Sequence, residues 1–400
     1  MGCSGELQMK KRNLSMDLIR CIALVSVVSV HFFQNSGFYD EPMDGQRMLV
    51  MTIMRTAFMV CVPLFVMLSG YLMCNKTVSG RYYYGLLKTV GVYLIACVGC
   101  IIYRSKRMGV VLTAKEWLFS IFDFSAIPLS WYVEMYLGLF LLIPFLNSMY
   151  HGLTEDRHKK ALIGTMLILT ALPGIFNIYN WIAEGWWLNP RSLGIFQDIL
   201  PNWWVGIYPV TYYLIGVYIA EHKPKMNFWL NGALVGGSVL VFGLYNYWRS
   251  YGVTFAPGAW TDWGALPIVV MTTLLFVWVS NFNLEWLPEW GKKLLKQLSD
   301  LCFGAYLASW IFDQEVYTIL NTKVPAMRLR LNYFAVVVPV IVVCAFLLSW
   351  VYNMIYKVLS SPIRKVYEKQ DAEIYSYNVP RKDSNWKEPE VEVDEKQSVG

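Results

Sequence analysis

Long hydrophobic segments alternate with short polar loops along most of this chain. Ten of these segments approach the length of about 20 residues that a helix needs to cross the hydrocarbon core of a bilayer. They lie at about residues 17–35, 49–73, 82–103, 130–150, 160–180, 202–221, 229–248, 264–282, 299–320 and 333–358. The pattern therefore predicts an all-α, polytopic membrane protein with about ten transmembrane helices.

Composition and charge refine this prediction. Hydrophobic residues make up 56% of the chain and charged residues 16%, as expected when lipid is the solvent. Lys and Arg are more frequent in the loops on the N-terminal side than in the alternate loops, and this bias predicts that both termini are cytoplasmic. The net charge of +6 includes no contiguous basic patch, so nucleic acid is not expected as a partner.

The predicted domain organisation has three parts. Residues 1–13 form a cytoplasmic N-terminal tail, and residues 14–359 form the membrane domain. Residues 360–400 are rich in Asp, Glu, Lys, Ser and Pro with few apolar residues, which is typical of a segment that does not fold alone. We therefore expect a disordered cytoplasmic tail at the C-terminus.

Three ionisable residues occupy the first hydrophobic segment, where each costs about 2.5 to 3.5 kcal/mol on insertion scales. The eleven-residue step from Arg20 to His31 corresponds to three helical turns plus about 20°, so both lie on one face about 16 Å apart. Asp17 lies on the same face and can pair with Arg20. This polar stripe predicts a function inside the membrane. The alternative is that Asp17 and Arg20 are interfacial anchors and His31 is a hydrogen-bonded core residue.

Several motifs resemble those of one family. The segment from Met16 to Phe33 resembles the opening helix of the acyltransferase-3 family of integral membrane acyltransferases, in which an arginine precedes a histidine with ten residues between them. Residues 62–72, 130–147, 208–216 and 303–307 resemble later family helices. The resemblance covers about residues 14–358 and rests on the order and spacing of these motifs together.

The resemblance implies an enzyme that transfers groups other than aminoacyl groups, commonly acetyl from acetyl-CoA, to a hydroxyl of a cell-surface or lipid-linked glycan. Its place would be the bacterial cytoplasmic membrane, and no metal is expected. His31 would be the general base, since an imidazole changes its protonation near neutral pH. Arg20, Arg81 and Lys88 would hold the anionic end of acyl-CoA on the cytoplasmic side.

This chain departs from the family pattern at two places. Many members carry two arginines, three residues apart, before the third helix, where this chain has Gly85 and Lys88. Many also have a histidine just before the tryptophan of the fourth helix, where this chain has Ser130. The first difference shifts the expected donor contact towards Arg20, and the role of the missing histidine does not carry over.

A general base commonly needs a partner that orients its ring. Two carboxylates at a similar depth are candidates, Glu134 in the fourth predicted helix and Asp313 in the ninth, and we predict Glu134 as the partner. Arg55 is expected to pair with one of these carboxylates or, less simply, to bind a sugar-linked phosphate. The predicted acceptor-binding residues are Arg55, Trp131, Tyr132, Tyr208 and Asp313. For the aromatic residues the alternative is an interfacial belt that needs no ligand.

Two other functions are compatible with the pattern. The polar stripe could line the pathway of a transporter or exporter of a glycan or a lipid-linked sugar. A ligand sensor could use the C-terminal tail as a signalling arm, although the tail carries no recognisable effector pattern. The sequence leaves open the identity of the acceptor and of the acyl chain. It also leaves open whether transfer is direct or passes through an acyl-enzyme intermediate, and whether the protein is a homo-oligomer.

Overall fold

The computed structural model describes residues 12–182, 197–256 and 259–378, and within these ranges the chain forms helices and no β-strand. The all-α fold is therefore confirmed. The described α-helices are α1 (Leu14–Asn35), α2 (Gly45–Phe58), α3 (Cys61–Met73), α4 (Gly80–Tyr84), α5 (Leu86–Lys106), α6 (Ala114–Phe122), α7 (Trp131–Gly152), α8 (Asp156–Thr170), α9 (Pro173–Phe176), α10 (Tyr208–His222), α11 (Phe228–Arg249), α12 (Leu266–Ser280), α13 (Glu289–Lys323) and α14 (Phe334–Asn378).

Seven helical segments of the described chain are long and apolar enough to cross a membrane, which confirms the polytopic character. The other three predicted spans also fold as helices. Of these, α10 and α12 have 15 residues each, about 22 Å at 1.5 Å per residue, and α13 has 35 residues with a charged first part. The seven segments are Leu14–Asn35, Gly45–Met73, Gly80–Lys106, Trp131–Gly152, Asp156–Phe176, Phe228–Arg249 and Met327–Pro362.

Local sequence explains where helices break. The predicted span 49–73 is two helices: α2 ends at Phe58, and α3 begins at Cys61, two residues before Pro63. The span 160–180 is likewise divided between Thr170 and Pro173. Proline has no amide hydrogen to donate and its ring collides with the preceding turn, so it starts helices more readily than it continues them. By contrast, α11 passes through Gly236 and Gly237 without a break.

Helix α1 lies in the interior of the fold and contacts α2, α3, α12 and α13. It is the most buried of the seven membrane-spanning candidates. Its first turn is capped by Asn13, whose side-chain oxygen accepts a hydrogen bond from the amide of Ser15 at 3.0 Å. Because α1 is surrounded by helices, its polar stripe faces protein rather than lipid.

Helices α3 and α10 pack backbone to backbone at two glycines. A Cβ atom at Gly70 would lie 2.1 Å from the carbonyl oxygen of Tyr213, and one at Gly216 would lie 2.1 Å from that of Met67. Small residues permit this approach between helices in a membrane, where packing rather than hydrophobic burial drives association. The contact sets the distance between α3 and α10, which both contribute residues to the cavities described below.

By their internal contacts, the described residues fall into two compact units, with the division between residues 354 and 355. The described part of the second unit is the end of α14, residues 355–378. Residues 1–11 of the predicted N-terminal tail lie outside the described residues, and so do residues 379–400 of the predicted disordered tail. The proposed domain boundaries therefore stay predictions.

Candidate functional site

Two helices supply the polar residues of the site. Helix α13 carries Ser299, Tyr306 and Asp313 at seven-residue steps, which places them on one face, since seven residues make two turns less about 20°. On α1, a terminal nitrogen of Arg20 donates to Ser299 Oγ at 2.6 Å, and His31 Nδ1 lies 2.8 Å from Asp313 Oδ2. The earlier residue of α1 contacts the earlier residue of α13, and the later residues contact each other. Helices α1 and α13 therefore run parallel, with their polar faces together.

The pair of His31 and Asp313 is buried, with side chains 8% and 2% exposed. The two atoms are at hydrogen-bonding distance, but the bond is poorly aligned and neither His31 Nδ1 nor Asp313 Oδ1 makes a hydrogen bond of good geometry within the described chain. Catalytic hydrogen bonds are often misaligned without substrate and become shorter when it binds. A carboxylate at Nδ1 leaves Nε2 as the ring nitrogen that can take a proton from a ligand.

The prediction that Glu134 is the partner of His31 is wrong in the structure. The carboxylate beside His31 belongs to Asp313, while the side chain of Glu134 is exposed. On α7, Val133 is fully buried, and Glu134, about 100° further round the helix, turns away from the interior. The sequence supplied only the expected depth of each carboxylate along its own helix, and it did not show which helix either side chain faces.

A cavity of about 760 Å³, the His31 cavity, lies around this pair. Its volume is within the range of small-molecule sites, about 300 to 1,000 Å³. Trp131 lines it and stacks on Trp263 with ring centroids 4.7 Å apart, and Tyr208 lines it as well, so two of the aromatic residues predicted to bind the acceptor face this cavity. Polar side chains that can hydrogen-bond a ligand also face it: Gln34, Asn35, Asp262 and Gln314.

A second cavity of about 300 Å³, the Arg20 cavity, is lined by Arg20, Lys88, Tyr132 and Ser299. Tyr132 was predicted to contact the acceptor beside Trp131, but it faces the Arg20 cavity because adjacent residues of a helix point in different directions. Tyr306 lines both cavities and meets Tyr132 edge to face at 5.4 Å. The two cavities therefore adjoin at this tyrosine pair.

The three predicted donor-binding cations differ in position. Arg20 and Lys88 line the Arg20 cavity, whereas Arg81 is exposed and is not among the described residues that line either cavity. Arg81 belongs to the short helix α4, which precedes the cavity-lining part of α5. The structure thus brings two of the three cations together.

An ion-pair network lies at the Arg20 end of α1. Asp17 is 3.8 Å from Arg20, as predicted, and also accepts a hydrogen bond from Arg12 at 2.6 Å. Arg12 donates to Asp300 at 2.8 Å as well, and these hydrogen bonds, that to Asp17 first, raise the pKa of Arg12 above its ordinary value. Arg12 thus divides its charge between Asp17 and Asp300, while Asp17 lies close to both Arg12 and Arg20.

Arg55 lines the His31 cavity but forms no ion pair with any described residue. The simpler of the two predictions for Arg55, an ion pair with Glu134 or Asp313, is therefore wrong within the described chain. Its Nε donates to the hydroxyl of Tyr39 at 2.9 Å, and its guanidinium carbon lies 4.6 Å from the ring centroid of Phe255. The arginine is thus held by aromatic residues instead of by a carboxylate.

Sequence reasoning missed Ser299, Tyr306 and Trp263. The first two had a signal, because Ser299, Tyr306 and Asp313 repeat at seven-residue steps, the spacing of one face of a helix. Trp263 lies in the loop before α12 and contacts Trp131 only through the tertiary fold, so no local pattern indicated it.

The comparisons with known proteins agree with the architecture. The family model described as an acyltransferase domain, that of the acyltransferase-3 family, matches residues 13–353, which contain both cavities and every side chain discussed above except that of Arg12. No curated protein and no solved structure matches the chain. Since the family match covers most of the chain, this protein belongs to the acyltransferase-3 family and is a membrane acyltransferase that transfers groups other than aminoacyl groups.

Proposed function

We propose that this acyltransferase moves an acyl group, most simply acetyl, from a coenzyme A thioester to a hydroxyl of a cell-surface or lipid-linked glycan. The observation that supports the proposal is the pair of adjoining cavities, one with a cationic wall at Arg20 and one with the buried pair of His31 and Asp313. Such an arrangement suits a reaction in which a charged donor and a neutral hydroxyl meet at a base.

The Arg20 cavity suits the donor. Coenzyme A is anionic at its nucleotide end and carries its thioester on a long, thin arm. Arg20 can bond phosphate oxygens with its planar fork, and Lys88 adds a second positive charge. The separation of about 16 Å between Arg20 and His31 along α1 is comparable with an extended pantetheine arm. An arm that passes Tyr306 would bring the thioester to His31.

The His31 cavity suits the acceptor. The stacked rings of Trp131 and Trp263 offer a flat apolar surface on which the C–H face of a sugar can pack, and neighbouring amide side chains can hydrogen-bond its hydroxyls. A few placed polar groups within an aromatic wall are typical of sites for small ligands. The proposal places the Arg20 cavity towards the cytoplasm of a bacterial cell, together with both termini, and the His31 cavity towards the outer face of the membrane.

In a direct transfer, Nε2 of His31 takes the proton of the acceptor hydroxyl while its oxygen attacks the carbonyl carbon of the thioester. The carbon–sulfur bond then breaks, and the sulfur leaves with the proton that His31 returns. The products are the acylated glycan and free coenzyme A. Asp313 holds the ring and stabilises its positive charge during the transfer.

Mass analysis of cell-surface glycans tests the proposal. Deletion of the gene and His31→Ala should both remove the same ester-linked acyl group. His158→Ala is the matched control, because His158 is exposed and lines neither cavity, and it should keep the ester. If the His31→Ala cells retain an ester that the deletion removes, His31 is not the base. In purified protein, Arg20→Ala should abolish slow hydrolysis of acetyl-CoA.

A further inference from the structure

Arg55 is a buried cation with no counter-ion among the residues that the structure describes. Its residue exposure is 7%, and Nη1 is buried with no hydrogen-bond partner in the described chain. The ion pairs among the described residues do not include it. An ionisable residue within a membrane-spanning helix is expensive, and such residues mark functional sites by default.

The described surroundings of Arg55 fix its position but supply no negative charge to match its own. The hydroxyl of Tyr39 accepts from Nε, and the rings of Phe255 and Tyr39 lie 4.6 and 5.7 Å from the guanidinium carbon. Aromatic faces attract a cation, but they supply no lone pair for the remaining N–H groups. A guanidinium is always protonated, so it cannot relieve its burial by losing a proton.

The carboxylates of the His31 cavity are engaged elsewhere. Asp313 contacts His31 at 2.8 Å, and Asp262 accepts from the hydroxyl of Thr261 at 3.4 Å. Arg55 therefore faces the same cavity as the proposed base with N–H groups directed to no carboxylate of the described protein. Such an arrangement suits a phosphate or a carboxylate, because either group can present two oxygens to the N–H groups of a guanidinium.

We infer that Arg55 binds an anionic group of the acceptor, so that the acceptor is an acidic carbohydrate that carries a phosphate or a carboxylate. The inference rests on the proposed function, because it takes the His31 cavity as the acceptor site. Binding at Arg55 would anchor the sugar at one side of the cavity and turn one of its hydroxyls to His31. Uncharged sugars of the same size would bind more weakly.

Thermal unfolding of the full chain in lipid nanodiscs tests this inference. The probes are glucose 1-phosphate, glucuronate and methyl glucoside, since a ligand that binds the folded state raises the unfolding midpoint as its concentration increases. We expect one of the two anions to bind at least tenfold more tightly than methyl glucoside. A response to the phosphate alone indicates a sugar phosphate, and a response to glucuronate alone indicates a sugar acid.

Two glutamine variants on α2 form a matched pair. Arg55→Gln should lower the affinity for the effective anion at least tenfold, whereas Arg47→Gln should not, because Arg47 is exposed and bonds to Asn332 and to the carbonyl of Arg328 outside the cavity. Arg55→Lys keeps the charge without the fork and should retain part of the selectivity. If Arg55→Gln does not fold, the test compares the preference for the anionic sugar over methyl glucoside in the native protein and in Arg55→Lys.

Three results would overturn the inference. The first is equal protection by all three sugars in the native protein, and the second is unchanged anion selectivity in Arg55→Gln. The third is a loss of protection by acetyl-CoA in Arg55→Gln, because Arg55 would then hold the donor. Failure of the proposed function is separate: acetyl-CoA would neither protect the native protein nor be hydrolysed in a manner that depends on Arg20 and His31.

Discussion

The contact between His31 and Asp313 leads to a quantitative prediction for Asp313→Asn. This substitution keeps the shape of the side chain and removes its charge. When His31 takes up a proton, the imidazolium and carboxylate charges lie about 4 Å apart between centres, worth about 4 kcal/mol at an effective dielectric constant of about 20. Each 1.36 kcal/mol corresponds to about a factor of ten in rate. Since the asparagine oxygen still accepts a hydrogen bond, we expect kcat to fall about 100- to 1,000-fold.

The assay is release of thiol from acetyl-CoA by purified protein in nanodiscs, at saturating donor. Asp313→Asn should lower kcat with little change in KM, because Asp313 is not among the residues that line the Arg20 cavity. Glu134→Gln is the control, since Glu134 is exposed, and its rate should stay within about twofold of the native rate. The reasoning is refuted if Asp313→Asn keeps more than a tenth of the rate, or if Glu134→Gln loses more than Asp313→Asn.

Two further comparisons use matched variants. Lys88→Gln should raise the KM for acetyl-CoA about two- to fivefold, because an exposed charge contact is worth up to about 1 kcal/mol, whereas Arg81→Gln should leave it unchanged. Equal effects of the two substitutions in a donor titration would contradict the assignment of Lys88, and not Arg81, to the Arg20 cavity. Gly216→Ala should abolish the folded protein, because its Cβ would lie 2.1 Å from a backbone oxygen of α3, while Gly236→Ala, with nothing within 4 Å, should fold normally. Size-exclusion profiles in detergent measure this, and a monodisperse Gly216→Ala protein would show that α3 and α10 can separate.

Much of the architecture could be predicted because it depends on local pattern. Each of the ten hydrophobic segments forms helix, since a backbone in lipid must satisfy its own hydrogen bonds. The placement of Arg20 and His31 on one face of α1 follows from helical periodicity alone. The lengths of individual helices were less predictable, because a residue that disfavours a helix does not always end it: the chain breaks between α2 and α3 near Pro63, but α11 continues through Gly236 and Gly237.

The sequence by itself therefore determined the membrane class, the polar stripe of α1 and the family resemblance. The partner of His31 was decided by the packing of α13 on α1, which brings together residues 282 positions apart in the chain, His31 and Asp313. Helical periodicity gives the depth and face of a side chain within its own helix, but not which helix that face meets. For the same reason, only the folded chain showed which cavity Tyr132 lines and that Arg55 has no counter-ion among the described residues.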